Sequence, residues 1–146
     1  MSQFAFLRAE WPEVFEAARR AEVGATRDAR TACFYARRAL ELAVAWVYKH
    51  DPALQLPYQD NLSALIHDPT FKAAVGEAVF TKARLINSLG NRAVHGARAV
   101  PVEDAVTAVR ELFHFSYWLG HTYSRGVRPA PGIVFDPSAL TVPAPA

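Results

Sequence analysis

Asn91 and His95 carry the most pointed chemistry in this 146-residue chain. They stand four residues apart, so on a helix they lie one above the other, with Asn87 a further turn back. An imidazole at a helix end can exchange a proton near neutral pH, and the neighbouring Arg92 can hold a phosphate. Such a set suits RNA cleavage by an attacking 2′-hydroxyl, in which histidine moves the proton and arginine steadies the extra charge on phosphorus, with no metal required. The same residues also fit a second role, in which Asn91 and His95 cap the last carbonyls of the helix and tie the following loop to its end. Residue types alone leave both roles open. Gly96 follows at the place where helices commonly stop in a left-handed residue, and Gly90 inside the helix implies a close approach by another chain segment.

The remaining candidates are weaker. His50, His67, His95, His114 and His121 are scattered and lack cysteine or carboxylate partners at ligand spacing, so no metal site is expected. There is no glycine-rich phosphate loop, nucleophile elbow or dinucleotide fingerprint, and no cofactor is expected. His114 and His121 read as boundary residues of the last helix. Cys33 falls in a core stripe and reads as a small apolar side chain.

The elements that must position these groups are helical. Pro12 opens a first helix with Val14, Ala17, Ala18 and Ala21 on its buried side, and Gly24 breaks it. Residues 1–10 either extend this helix or pack across the bundle. A longer helix runs from about Thr26 or Arg27 to His50, with Cys33, Ala36, Leu40, Ala43, Val44 and Val47 as its core stripe and Arg37 paired to Glu41 on its surface. Residues 51–60 read as an ordered loop. Asn61 caps a short helix over 62–66, and Pro69 opens another that ends at Gly76. The motif helix covers about Glu77 to Val94, burying Val79, Ala83, Ile86, Leu89 or Gly90, and Ala93. Pro101 opens the last helix, which ends near Ser124. From Gly126 onward prolines recur too often for helix, so 126–146 reads as a stiff linker, with Ile133, Val134, Phe135 and Leu140 able to dock on the body. No strand alternation and no solenoid repeat is visible. The fold class is all-α: a bundle of about four main helices with short helices in the connecting loop and a proline-rich tail.

Composition sets the outer limits. A chain of this length hides roughly two-thirds of its unfolded surface, enough for one domain without staples. Hydrophobic residues make up 51% and charged residues 21%, and no apolar run reaches the roughly 20 residues of a membrane span. The opening MSQFAFLRAEW lacks the marks of a secretory leader, and a single cysteine suits a reducing compartment, so a cytoplasmic location is expected. The net charge of +2 does not by itself demand a nucleic-acid partner, although Arg19, Arg20, Arg27, Arg30, Arg37 and Arg38 crowd the first third.

Four blocks together, FYARRALELAVAWVYKH, LPYQDNLSALIHDPTF, FTKARLINSLGNRAVHG and VEDAVTAVRELFHFSYWL, resemble the domain of unknown function 4145 found at the front of helicase-bearing R subunits of type I restriction enzymes. The likeness covers about residues 10–125. It implies an HEPN-like helical domain over 1–125, and a tail over 126–146 leading toward nuclease and helicase domains of a restriction endonuclease. In HEPN ribonucleases the signature is arginine, a polar residue that is often asparagine, three more residues, then histidine. Here Gly90, Asn91 and His95 stand at those places, so the arginine is missing. Arg92 points roughly 200° away from Gly90, and Arg84 lies more than one turn back.

The resemblance therefore implies a recognition or assembly domain, not catalytic by itself, in a restriction or antiviral-defence protein. Asn91, His95, Arg92, Arg84 and Arg98 are its expected working surface, extended by Arg37, Arg38 and Arg30. Its expected partners are nucleic acid, DNA or RNA, or other subunits of the restriction system, with no membrane involved. Two alternatives stand beside this one. One is a metal-independent endoribonuclease using His95 and Asn91, and the other is a plain homodimerisation bundle.

Overall fold

The computed structural model describes residues 2–140, and the expected linker residues 141–146 lie outside them. Six helices form the body: α1 Pro12–Gly24, α2 Ala29–His50, α3 Leu62–His67, α4 Pro69–Val75, α5 Glu77–His95 and α6 Val102–Tyr123. All-α architecture follows from the apolar spacing, with no strand among the described residues. α2 starts two or three residues later than the sequence suggests. Asp28 is its N-cap, with a side-chain oxygen accepting from the Thr31 amide at 3.2 Å. Asn61 caps α3 in the same way through the Ala64 amide at 2.9 Å.

α2 is the central element, packed against α1 on one side and α5 on another, with α6 closing over α2 and α5. Its Cys33, Ala36, Leu40, Ala43, Val44 and Val47 are all buried, as their spacing of three and four requires. Alanine is frequent on this stripe, which lets neighbouring helices come close. On α5 the buried aromatic is Phe80, while the expected Val79 is only half-buried.

Residues 2–10 do not extend α1. They make a short 3-10 turn at Ala5–Leu7 and cross the bundle, burying Phe4 and Leu7 completely. The proline-rich segment, expected as a stiff linker with apolar residues able to dock, returns across the same region as far as Leu140. Pro129, Phe135 and Leu140 are buried, and the Phe113 ring lies within 6 Å of Phe4, Phe6 and Phe135, centroid to centroid. The carboxamide of Gln3 fastens it at both ends, donating to the Asp136 carbonyl at 2.9 Å and accepting from the Asp136 amide at 2.8 Å. Thr26 Oγ1 donates to the Leu140 carbonyl at 2.9 Å. Glu10 holds the turn after α6 by accepting from Ser124 Oγ and from the amides of Arg125 and Gly126, and these bonds draw its carboxyl below the usual carboxylate range.

Candidate functional site

α2 and α5 run antiparallel, and two arginines of α2 fix where they touch. Arg30 reaches the C-terminal end of α5, where Nη1 donates to the carbonyls of Ala93 and, at 3.2 Å, Gly96, and Nη2 donates to the Arg98 carbonyl at 2.5 Å. A helix end leaves such carbonyls unpaired and carries partial negative charge, so a guanidinium is well suited to it. Arg30 is thus the cap of α5 and not, as expected, an extension of the working surface.

Two turns further along α2, Arg37 lies across Gly90. A Cβ at Gly90 would stand 2.5 Å from Arg37 Cβ and 2.7 Å from Arg37 Cδ, closer than carbon atoms pack. Arg37 Nε then donates to Asn87 Oδ1 at 3.1 Å. This settles the glycine: the stem of an arginine occupies the space its side chain would fill. It also corrects the expected pairing of Arg37 with Glu41, because Glu41 is bonded by Arg38 instead. Gly96, expected in a left-handed conformation, is extended at φ −80°; a Cβ there would stand 2.5 Å from the Arg92 carbonyl oxygen, so close approach is its requirement.

The expected stripe of three polar groups therefore divides. Asn87 is 6% exposed and turned toward Arg37. Asn91 is half-buried and His95 exposed, and neither side chain is hydrogen-bonded within the described residues. Capping of the helix end thus falls to Arg30 and not to this pair. Advancing 100° per residue, Arg84, Ser88, Asn91 and His95 fall within an arc of about 60° on the outward face of α5. Arg84 and Ser88 are exposed as well.

Arg92 is turned further round the helix. With Arg98 and Asp104 it lines a cavity of about 570 Å³ between the end of α5 and the start of α6, whose other walls include Leu89, Val100 and Pro101. The structure thus aligns Arg84, Asn91 and His95 along one face of α5, groups Arg92 with Arg98 at one cavity, and holds Arg37 on the α2 side. Arg38 is exposed and ion-paired with Glu41.

Sequence reasoning missed Lys72 and Phe80. Lys72 Nζ sits 4.6 Å from the centre of the Phe80 ring and Arg84 Cζ 5.8 Å from it, with the His67 ring edge-on at 5.4 Å. For the surface of α5 itself the sequence did carry a signal: from Ala78 to Val102 the chain has Lys82, Arg84, Arg92 and Arg98 but no aspartate or glutamate.

Elsewhere, Lys82 donates to Glu111 Oε2 at 2.9 Å, and His114 Nδ1 is 3.5 Å from the same oxygen. Burial opposes ionisation of Glu111, yet the hydrogen bond and charge of Lys82 outweigh it and hold the carboxyl below its usual range. The cluster pins α5 to α6. Burial raises the Cys33 thiol to about 11, so it is not a nucleophile at neutral pH. Among the described residues no three histidine, cysteine or carboxylate side chains are grouped to hold a metal ion.

The profile of a domain of unknown function, DUF4145, matches residues 19–123, from within α1 to the last residue of α6. The chain belongs to the DUF4145 family. Every residue of the α5 face and both clamping arginines lie inside the matched region, whereas the crossing segment 2–10 and the returning proline-rich segment lie outside it. No curated protein and no solved structure matches the chain. No helix of the described residues is long and apolar enough to cross a membrane.

Proposed function

We propose that this DUF4145 domain is a nucleic-acid recognition module, HEPN-like in fold, of a cytoplasmic restriction or antiviral-defence protein such as a type I restriction R subunit. The observation that carries the reading is the outward face of α5. There Arg84, Asn91 and His95 stand free of internal hydrogen bonds, Arg92 and Arg98 flank them, and no carboxylate interrupts the chain between Glu77 and Glu103. Guanidinium groups bind phosphate oxygens, while an amide and an imidazole can read base edges. Asp104 shares the flanking cavity with Arg92 and Arg98.

Fluorescence anisotropy with a labelled oligonucleotide tests this. Binding should weaken steeply with salt, and Arg92→Ala should reduce the slope of log K against log salt by about 0.7 to 0.9, the share of one phosphate contact. His95→Ala and Asn91→Ala should weaken binding while leaving the melting temperature nearly unchanged, because neither side chain is bonded internally. Absence of salt-dependent binding at low ionic strength would remove the proposal and leave the homodimer bundle in its place.

One observation favours a second reading as metal-independent ribonuclease. Gly90 stands where the HEPN signature has arginine, but Arg37 of α2 covers that glycine and brings a guanidinium to Asn87, one turn from Asn91. Cleavage of labelled RNA in EDTA that is lost in both Arg37→Gln and His95→Ala would support it; intact RNA at high protein concentration would exclude it.

A further inference from the structure

The polar face of α5 does not end at Arg84. Beyond it the Phe80 ring, itself buried, has Lys72 of α4 and Arg84 both within 6 Å of its centre, and both cations are exposed. Neither makes a salt bridge within the described residues, so their positive charge faces solvent uncompensated. The first carboxylate on this face is Glu77, a further turn toward the helix start. From the level of Phe80 to His95 the row covers fifteen residues of rise, about 22 Å. That length matches about six nucleotides of a stacked strand, each rising roughly 3.4 Å along the axis. A row this long exceeds what one phosphate or one nucleotide needs.

The surroundings of α5 decide between a single strand and a duplex. A recognition helix must descend into a major groove about 8.5 Å deep, and so must stand clear of its neighbours. α5 is instead hemmed by α2, α6, α3 and α4, and buries Phe80, Ala83, Ile86, Asn87, Leu89, Gly90 and Ala93 against them. What is left is an outward face that runs the length of the helix. It can be followed by one backbone, with cations at one end and base-reading groups at the other.

We propose that Lys72 and Arg84, held on the Phe80 ring, form a second phosphate-binding station in line with Asn91 and His95, so that the face takes a single nucleic-acid strand lengthwise. This rests on the nucleic-acid reading above and adds to it a length, a strandedness and the residue Lys72. The test is anisotropy with labelled oligo(dT) and oligo(U) of 4 and 12 nucleotides, and with a 12-base-pair duplex. Lys72→Met and Arg84→Met keep a flexible apolar stem near Phe80 while removing the charge.

The 12-mer should bind at least tenfold more tightly than the 4-mer and than the duplex. Each Met variant should cost the 12-mer about fivefold and lower its salt slope by about 0.7. Comparable affinity for oligo(dT) and oligo(U) assigns recognition to the phosphodiester, and a preference for oligo(U) assigns part of it to the 2′-hydroxyl; both keep the single strand. If 12-mer binding responds to Arg92→Ala but not to Lys72→Met or Arg84→Met, the second station is refuted and the recognition site stands. Duplex binding as tight as the 12-mer refutes the single strand, and no binding of any probe refutes both proposals together.

Discussion

Replacing Gly90 by alanine puts the contact between α2 and α5 to a test of sign. In a solvent-facing helix interior the change stabilises by about 1 kcal/mol, since glycine has the greater freedom to lose. Here the new methyl would lie 2.5 Å from Arg37 Cβ and 2.7 Å from its Cδ, more than 1 Å inside normal carbon contact. The nearer atom is the Cβ, rooted on the α2 backbone, so it cannot swing aside as a side-chain tip would, and the helices must part. Overpacking of this kind costs about 1 to 3 kcal/mol, and partial parting that also lengthens the Arg37–Asn87 bond takes the cost to the upper end. The net loss is about 1 to 2 kcal/mol, which for a domain of this size lowers the melting temperature by about 3 to 8 °C. Thermal unfolding followed by circular dichroism reads it. In an Arg37→Gly background the obstruction is gone, so Gly90→Ala should there become neutral or stabilising, a coupling measured directly by the double-mutant cycle. A rise in melting temperature for Gly90→Ala in the otherwise unaltered protein would refute the packing of Arg37 on α5 and the account of the glycine with it.

Two further outcomes follow from side chains that cross between helices. Arg30→Ala removes the donor to the carbonyls of Ala93, Gly96 and Arg98; stability should fall by about 1 to 2 kcal/mol because water can satisfy part of what is lost, and amide hydrogen exchange should quicken around residues 94–100 before it does elsewhere. Glu111 has its folded-state pKa held below the ordinary value of 4.5 despite burial, chiefly by Lys82, so its contribution is present above that value and lost as pH falls through the folded one. The gap in melting temperature between the unaltered protein and Glu111→Gln should therefore be widest at neutral pH and close on acidification; a gap that is constant with pH would show that the Lys82–Glu111 pair does not depend on the carboxylate charge.

The helices were legible because their evidence is local. The spacing of Cys33, Ala36, Leu40, Ala43, Val44 and Val47 marks one face whatever it packs against, and Pro12, Asn61, Pro69 and Pro101 mark starts by their own backbone chemistry. What was not legible depends on which surface a side chain meets. Glu41 has arginines at both four and three positions before it, and helical spacing alone does not show that Arg38 takes it while Arg37 crosses to Asn87. That Phe135 and Leu140 could dock was visible in their apolar side chains among the prolines, but the surface they meet was not, since nothing local says that the strap lies on Phe113. At the site, the alignment of Arg84, Asn91 and His95 on one face of α5 could be read from periodicity. Lys72 could not, because it arrives on another helix.

The clamp also explains why a polar helix can present part of its polarity outward without losing its place. Asn87 alone would be a buried amide needing a partner, and Gly90 alone would be a weak point in α5. Together with Arg37 they become one contact: the glycine admits the arginine stem, and the amide accepts from its Nε. Arg30 secures the same helix two turns away. With α5 held from the α2 side at two levels and pinned to α6 through Lys82 and Glu111, its outward residues are relieved of structural duty. Asn91 and His95 need not cap the helix because Arg30 does, and Arg84 keeps its charge free of acidic partners. The fold thus spends its internal hydrogen bonds on one side of α5, which leaves the other side available for a ligand.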